Sequence, residues 1–199
     1  MSVASAAGRL FDLLTAQGTQ FTQYLRPGLT PEQIREIAAP VEHPLPPEVV
    51  EFYRHYDLPK GYFYNPDQPT FYGIYWLLGL EDAVASWQER RSYDFLDARE
   101  HEWFPFIEED GNNYLVDMVA TPEGQHPIVR TFHGLEPHVE FANLTAMFDT
   151  FYAWVSEDVV PVESGHVAGD YEGDKKRVAE IAVRLNPGVA YWTSRLAQL

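Results

Sequence analysis

Apolar residues recur at helical spacing towards both ends of the chain and run in strand-like blocks through its middle. Over residues 3–16, Val3, Ala7, Leu10 and Leu14 fall on one helix face. Thr30-Pro31-Glu32-Gln33 opens a second helix: Thr30 caps it, Pro31 suits the first helical position, and Gln33 completes a capping box. Pro40 stops it. Leu45-Pro46-Pro47-Glu48 starts a third helix, striped by Val49, Phe52, Tyr53 and Tyr56 and broken by Asp57-Leu58-Pro59-Lys60-Gly61. Residues 71–80 form an almost unbroken aromatic and aliphatic run, which reads as a buried strand. Helical spacing returns over 81–91 through Val84, Trp87 and Arg91.

The middle of the chain reads as a meander. Trp103-Phe104-Pro105-Phe106-Ile107 leads into the acidic turn Glu108-Glu109-Asp110-Gly111-Asn112-Asn113, and residues 114–119 lead out as a second strand. The Asp-Gly pair supplies the positive φ such a turn needs. Residues 122–127 turn the chain again and 128–132 form a third strand. Pro105 has no N–H to donate, so its strand is expected at an edge or with a bulge. Asn143 caps a helix carrying Leu144, Met147, Phe148, Phe151, Trp154 and Val155 on a broad apolar face. Residues 159–173 read as loop, and Val178, Ile181 and Leu185 stripe a last helix that stops at Asn186-Pro187-Gly188. The tail keeps Tyr191, Trp192 and Leu196 and is expected to dock. Helices, then a meander, then helices predict a single α+β domain, a central antiparallel sheet packed by helices on one side.

Charge narrows the function classes. Among 199 residues, 14 Lys and Arg face 30 Asp and Glu, a net charge of −16. Such a field repels phosphate, which argues against nucleic acid and anionic membranes as partners. The chain is 45% hydrophobic and 15% aromatic, too apolar to stay disordered. It has no apolar run long enough for a membrane span, and its first 25 residues lack the layout of a signal peptide. With no cysteine, disulfides, thiolate nucleophiles and Cys-ligated zinc are excluded, and the cytoplasm is the expected compartment.

The familiar catalytic constellations are missing. None of the seven histidines makes a His-Glu-x-x-His pair; His133 and His138, near Glu136 and Glu140, have a loop spacing and read as solvated. There is no Gly-x-Ser-x-Gly elbow and no Gly-rich phosphate loop, so neither metal nor cofactor is expected. Asn143-Leu144-Thr145 fits a glycosylation sequon but serves better as a helix cap. Paired carboxylates with aromatic platforms suggest a carbohydrate-active enzyme, but Glu108, Glu109 and Asp110 crowd one solvated turn. The tryptophans at 76, 87, 103 and 154 read as core.

The order of these signals resembles the SUKH superfamily, which holds the fungal Smi and Knr cell-wall regulators and many bacterial immunity proteins. Leu45-Pro46 opening a helix that ends in aromatics, Trp103 to Ile107 before an acidic turn, and Tyr114-Leu115-Val116-Asp117 carry the resemblance. Gly124 before the strand at Ile128 and Phe141-Ala142-Asn143-Leu144 continue it. It divides the chain into a SUKH-like core at 45–157, N-terminal helices at 1–44 and a C-terminal loop and helix extension at 158–199. It implies a non-enzymatic, cytoplasmic protein-binding domain: an immunity protein neutralising a nuclease- or deaminase-type toxin, or alternatively a constitutive scaffold of the cell-wall-regulator type.

The acidic excess suggests where a basic partner would bind. Residues 79–123 hold 12 acidic residues against 3 basic ones, more than half of the net charge in less than a quarter of the chain. Glu81, Asp82, Glu89, Asp94, Asp97, Glu100 and Glu102 precede the meander, and Glu108, Glu109 and Asp110 sit at its turn. Converging, they would mimic a nucleic-acid backbone before the basic cleft of a toxin, with Tyr93, Phe95 and Trp103 as anchors. Charge runs also serve solubility alone. Tyr62, Phe63 and Tyr64 are a second aromatic candidate, unless they fold inward.

Overall fold

In the computed structural model, all residues are described except Tyr64, Pro66, Asp67, Asp94, Phe95, Asp110, Asp170, Tyr171 and Glu172. The chain opens with α1 (Val3–Ala16), whose first turn is capped by the Ser2 hydroxyl. Strand β1 (Arg26–Pro27) pairs with β2 (Tyr56–Asp57), bracketing α2 (Pro31–Ile37) and α3 (Pro47–His55). The expected capping box opens α2: Gln33 N–H donates to the Thr30 hydroxyl at 3.2 Å and Thr30 N–H to Gln33 Oε1 at 2.8 Å.

Then follow β3 (Trp76–Leu77), α4 (Leu80–Arg90), a 3-10 turn (Glu100–Glu102), β4 (Trp103–Glu109), β5 (Asn112–Asp117), β6 (Ile128–Phe132) and β7 (Leu135–Phe141). These strands make a five-stranded antiparallel sheet in the order β3-β4-β5-β6-β7. The chain closes with α5 (Leu144–Ser156), the hairpin β8 (Val162–Glu163) and β9 (His166–Val167), α6 (Lys175–Leu185) and α7 (Ala190–Ala197).

Helix α5 lies on the sheet with α1, α3 and α6 around it. Its start is capped twice. Asn143 Oδ1 accepts from Ala146 N–H at 2.8 Å, and Glu48 on α3 accepts from the backbone of Leu144 and the hydroxyl of Thr145. Aromatic rings fill the interface. Phe148 stacks on Phe52 with centroids 5.5 Å apart, and Phe106 meets Phe52 edge-on at 5.0 Å. Offset and edge contacts of this kind add to the burial each ring already brings.

Two expectations are corrected. Residues 71–80 are not one strand. Gly73, at φ 53°, turns the chain so that Tyr75 N–H reaches Tyr72 C=O, leaving two strand residues before α4 begins at Leu80. A strand not anticipated, β7, follows a turn at Gly134 (φ 79°) and carries His138, so the pair His133 and His138 belongs to a hairpin and not to a loop. Apart from the main core, Trp103, Leu115 and Val129 form a separate buried cluster on the sheet.

Pro105 lies where a bulge was expected. The register of β4 on β5 shifts between Pro105 and Ile107, and two-residue β3 pairs only with Ile107 and Glu108, so nothing asks Pro105 for an N–H. The bulge has a consequence for function. Phe104, Phe106 and Ile107 all join the main core, and the extra residue moves Glu108 to the other face, opposite Asn113.

Candidate partner-binding site

Where the last turn of α4 passes the β4–β5 turn, it leaves a cavity of about 190 Å³. Its described walls include Phe63, Ser86, Glu89, Arg90, Tyr93, Glu108 and Asn113. Ser86 and Arg90 are four apart on α4 and so share one helix face, and Tyr93 lies three residues beyond the helix end. The Ser86 hydroxyl donates to Glu108 Oε2 at 2.6 Å, and the Tyr93 hydroxyl to Glu89 Oε1 at 2.8 Å. Asn113 is 0% exposed; its amide donates to the Thr131 hydroxyl at 3.3 Å, while its buried Oδ1 has no hydrogen-bond partner.

The electrostatics of this corner are unusual. Burial pushes the Glu108 carboxyl above its ordinary value, opposed in part by the Ser86 hydrogen bond and by Arg90. Burial lowers Arg90, with Glu108 and Glu100 opposing. Among the described residues, no cation forms an ion pair with Glu108. An adjoining cleft of about 340 Å³ shares Arg90 and Tyr93 and continues between Leu96, Glu100 and the β6–β7 hairpin. Phe132 and Leu135 on that hairpin are 41% and 63% exposed.

The structure brings together only part of the acidic set expected from sequence. Glu89, Tyr93 and Glu108 line the cavity, and Glu100 lines the adjoining cleft. Glu109 follows Glu108 on β4; consecutive strand residues point to opposite faces, so the two do not form the facing carboxylate pair of a glycosidase. Glu108 is not solvated in a turn, as expected, but 9% exposed on a strand.

The remaining expected residues lie elsewhere. Glu81 is exposed and pairs with Lys60 at 3.4 Å. Asp82 is buried, both of its oxygens 2.9 Å from Gly61 N–H, where it holds the preceding loop and faces no partner. Both occupy the first turn of α4, roughly 12–15 Å from its last. Asp97 caps the 3-10 turn by accepting from Arg99 and Glu100 N–H. Arg99 pairs with Glu102 at 2.6 Å and with Asp117. Trp103 is buried opposite Asp117, at the far end of β4 from Glu108, so it is not an exposed anchor. Tyr62 and Phe63 fold inward. Asp94, Phe95, Asp110 and Tyr64 lie outside the described residues.

Sequence reasoning missed Arg90, Ser86, Asn113 and the exposed hairpin. The spacing Ser86–Arg90 was a usable signal, two polar residues on one face of α4; Asn113 was hidden in an apparent turn. Among the described residues, no group of three or more His, Asp or Glu is placed to hold a metal ion, and no helix is long and apolar enough to cross a membrane.

An antiparallel meander under a helical layer, with a polar cleft at one end of the sheet, makes up a single α+β domain. Residues 28–157, well over half of the chain, match the SMI1 / KNR4 family (SUKH-1), and the chain belongs to this family. The match begins just after β1, takes in α2 upstream of Leu45, and ends just past α5. Among curated proteins, none matches the chain. Membership supports a protein-binding role of the immunity or Smi/Knr type, in a family that is generally non-enzymatic.

Proposed function

We propose that the chain is an immunity protein that acts in the cytoplasm by covering the basic cleft of a nuclease- or deaminase-type toxin domain. One observation carries this reading: Glu89, Glu108 and Tyr93 converge on one cavity, beside a cleft edged by Glu100 and the exposed Phe132 and Leu135. Acidic groups around apolar anchors suit a basic protein surface, because charge speeds and selects encounter while the buried anchors hold the complex. The net charge of −16 supports a protein partner over nucleic acid or an anionic membrane.

The test is a pull-down with the C-terminal module of a large secreted protein encoded beside this gene, followed by titration at rising salt. The expected result is a complex whose association slows and whose affinity falls as salt rises. Affinity and association rate indifferent to salt would overturn the acidic mechanism. Absence of any such neighbour, with a resident cellular protein bound in its place, would turn the reading to a scaffold of the Smi/Knr type.

A further inference from the structure

The strongest unexplained feature is the buried carboxylate of Glu108. A carboxylate taken out of water is stable only when paired or neutralised, and among the described residues Glu108 receives one side-chain hydroxyl donor and no ion-paired cation. Across the strand pair from it, the buried Oδ1 of Asn113 accepts from no donor among the described residues. The two residues that carry these acceptors, Glu108 and Asn113, both line one cavity of about 190 Å³, and Tyr93 and Phe63 add aromatic surface to it. Arg90 does not supply the missing donors: it acts on Glu108 only through space, and its Nε is itself buried without a hydrogen-bond partner.

We infer that this cavity is a pocket for one basic side chain of the protein partner, whose ammonium or guanidinium group donates to Glu108 and to Asn113 Oδ1 beside Tyr93. Lys offers three donors and Arg five, so either can satisfy both acceptors, and an aromatic face further favours a desolvated cation. The free protein holds Glu108 with its carboxyl pushed up by burial, and arrival of a cation restores the ordinary range. The neighbouring residues of the partner then lie along Phe132 and Leu135 in the adjoining cleft. This inference rests on the protein-binding reading above.

The test needs no partner protein. The full chain is titrated with n-butylammonium and, separately, n-butylguanidinium, with inorganic phosphate as the anionic comparison, while NMR follows the Asn113 side-chain amide and the Glu108 carboxyl carbon. The expected result is a saturable shift of both signals with one or both cations, a fall in the Glu108 pKa at saturation, and at least tenfold weaker binding in Glu108→Gln. Glu109→Gln leaves binding unchanged, and which cation binds more tightly tells Lys from Arg. No saturable shift with either cation, saturation by phosphate instead, or binding unaltered in Glu108→Gln would each overturn the pocket. Should Glu108→Gln fail to fold, the pKa of Glu108 in the unmodified protein decides alone, and an unmoved value overturns the proposal. A toxin module that still binds when the small cations do not would leave the immunity reading standing and place its interface elsewhere.

Discussion

The sheet carries two buried arginine–glutamate sites, and they are built differently. At the β6–β7 end, Arg130 donates to both oxygens of Glu140, at 3.3 and 3.2 Å, and to the Tyr75 hydroxyl at 3.1 Å, with its guanidinium 5.1 Å from the Tyr114 ring centre. Helix α7 closes this site: Trp192 Nε1 donates to Glu140 C=O at 2.6 Å, and Tyr191 stacks on His138 at 4.2 Å. At the α4 end, Arg90 and Glu108 are close enough to influence one another yet make no ion pair, and an open cavity lies beside them. In the first site the carboxylate is ion-paired and closed over by a helix, and so the site is part of the fold. The second has been desolvated without being satisfied, a cost of order a kcal/mol or more that a partner can offset.

Breaking the closed site has the largest effect. Glu140→Ala leaves Arg130 buried without its carboxylate, and a loss of about 3–5 kcal/mol in chemical denaturation is expected. Trp192→Phe removes the hydrogen bond to Glu140 C=O and leaves a void where the fully buried indole packed, costing about 1–3 kcal/mol. Leu135→Asp, on the open side, leaves the thermal midpoint in place but weakens binding of the cognate module by about tenfold, roughly 1.4 kcal/mol by calorimetry. Glu81→Gln, which breaks only the exposed pair with Lys60, changes stability by about 0.5 kcal/mol or less.

Glu108 sharpens the contrast through pH. Its folded carboxyl sits above the ordinary value, so the native state binds its proton more tightly than the unfolded chain does. The contribution of Glu108 to stability therefore falls as pH rises from the ordinary carboxylate range through the raised value, then levels off. Glu108→Gln removes that fall: its thermal midpoint matches the parent at the acidic end of the window and exceeds it by a few degrees at neutral pH. A parent no less stable than the variant at neutral pH would mean that Glu108 is better satisfied than its geometry indicates.

The sequence made much of this framework legible, and the failures have physical causes. Helices α1 to α6 announced themselves through caps and apolar stripes, because Thr30, Asn143 and the Pro46-Pro47 step act locally. Tyr191 and Trp192 marked the tail for docking, and Trp192 is fully buried. By contrast, Leu135-Glu136-Pro137-His138 shows no alternation, since this stretch of β7 is an exposed edge that needs no apolar face. The aromatic run at 71–80 hid a tight turn because Tyr72 and Tyr75 are buried in turn and strand alike. Charge told least about place. Asp82 and Glu108 look alike among the acidic residues, yet Asp82 holds Gly61 while a bulge two residues earlier sets Glu108 into the cavity. A one-residue register shift cannot be read from composition.

The most direct measurement is the affinity of the cognate toxin module for the chain and for Glu108→Gln, by calorimetry at low salt, with both proteins shown to be folded. The account predicts at least a tenfold loss in the variant, even though that variant is the more stable protein at neutral pH. Affinities within twofold of one another would contradict it and place the interface away from the α4 end of the sheet.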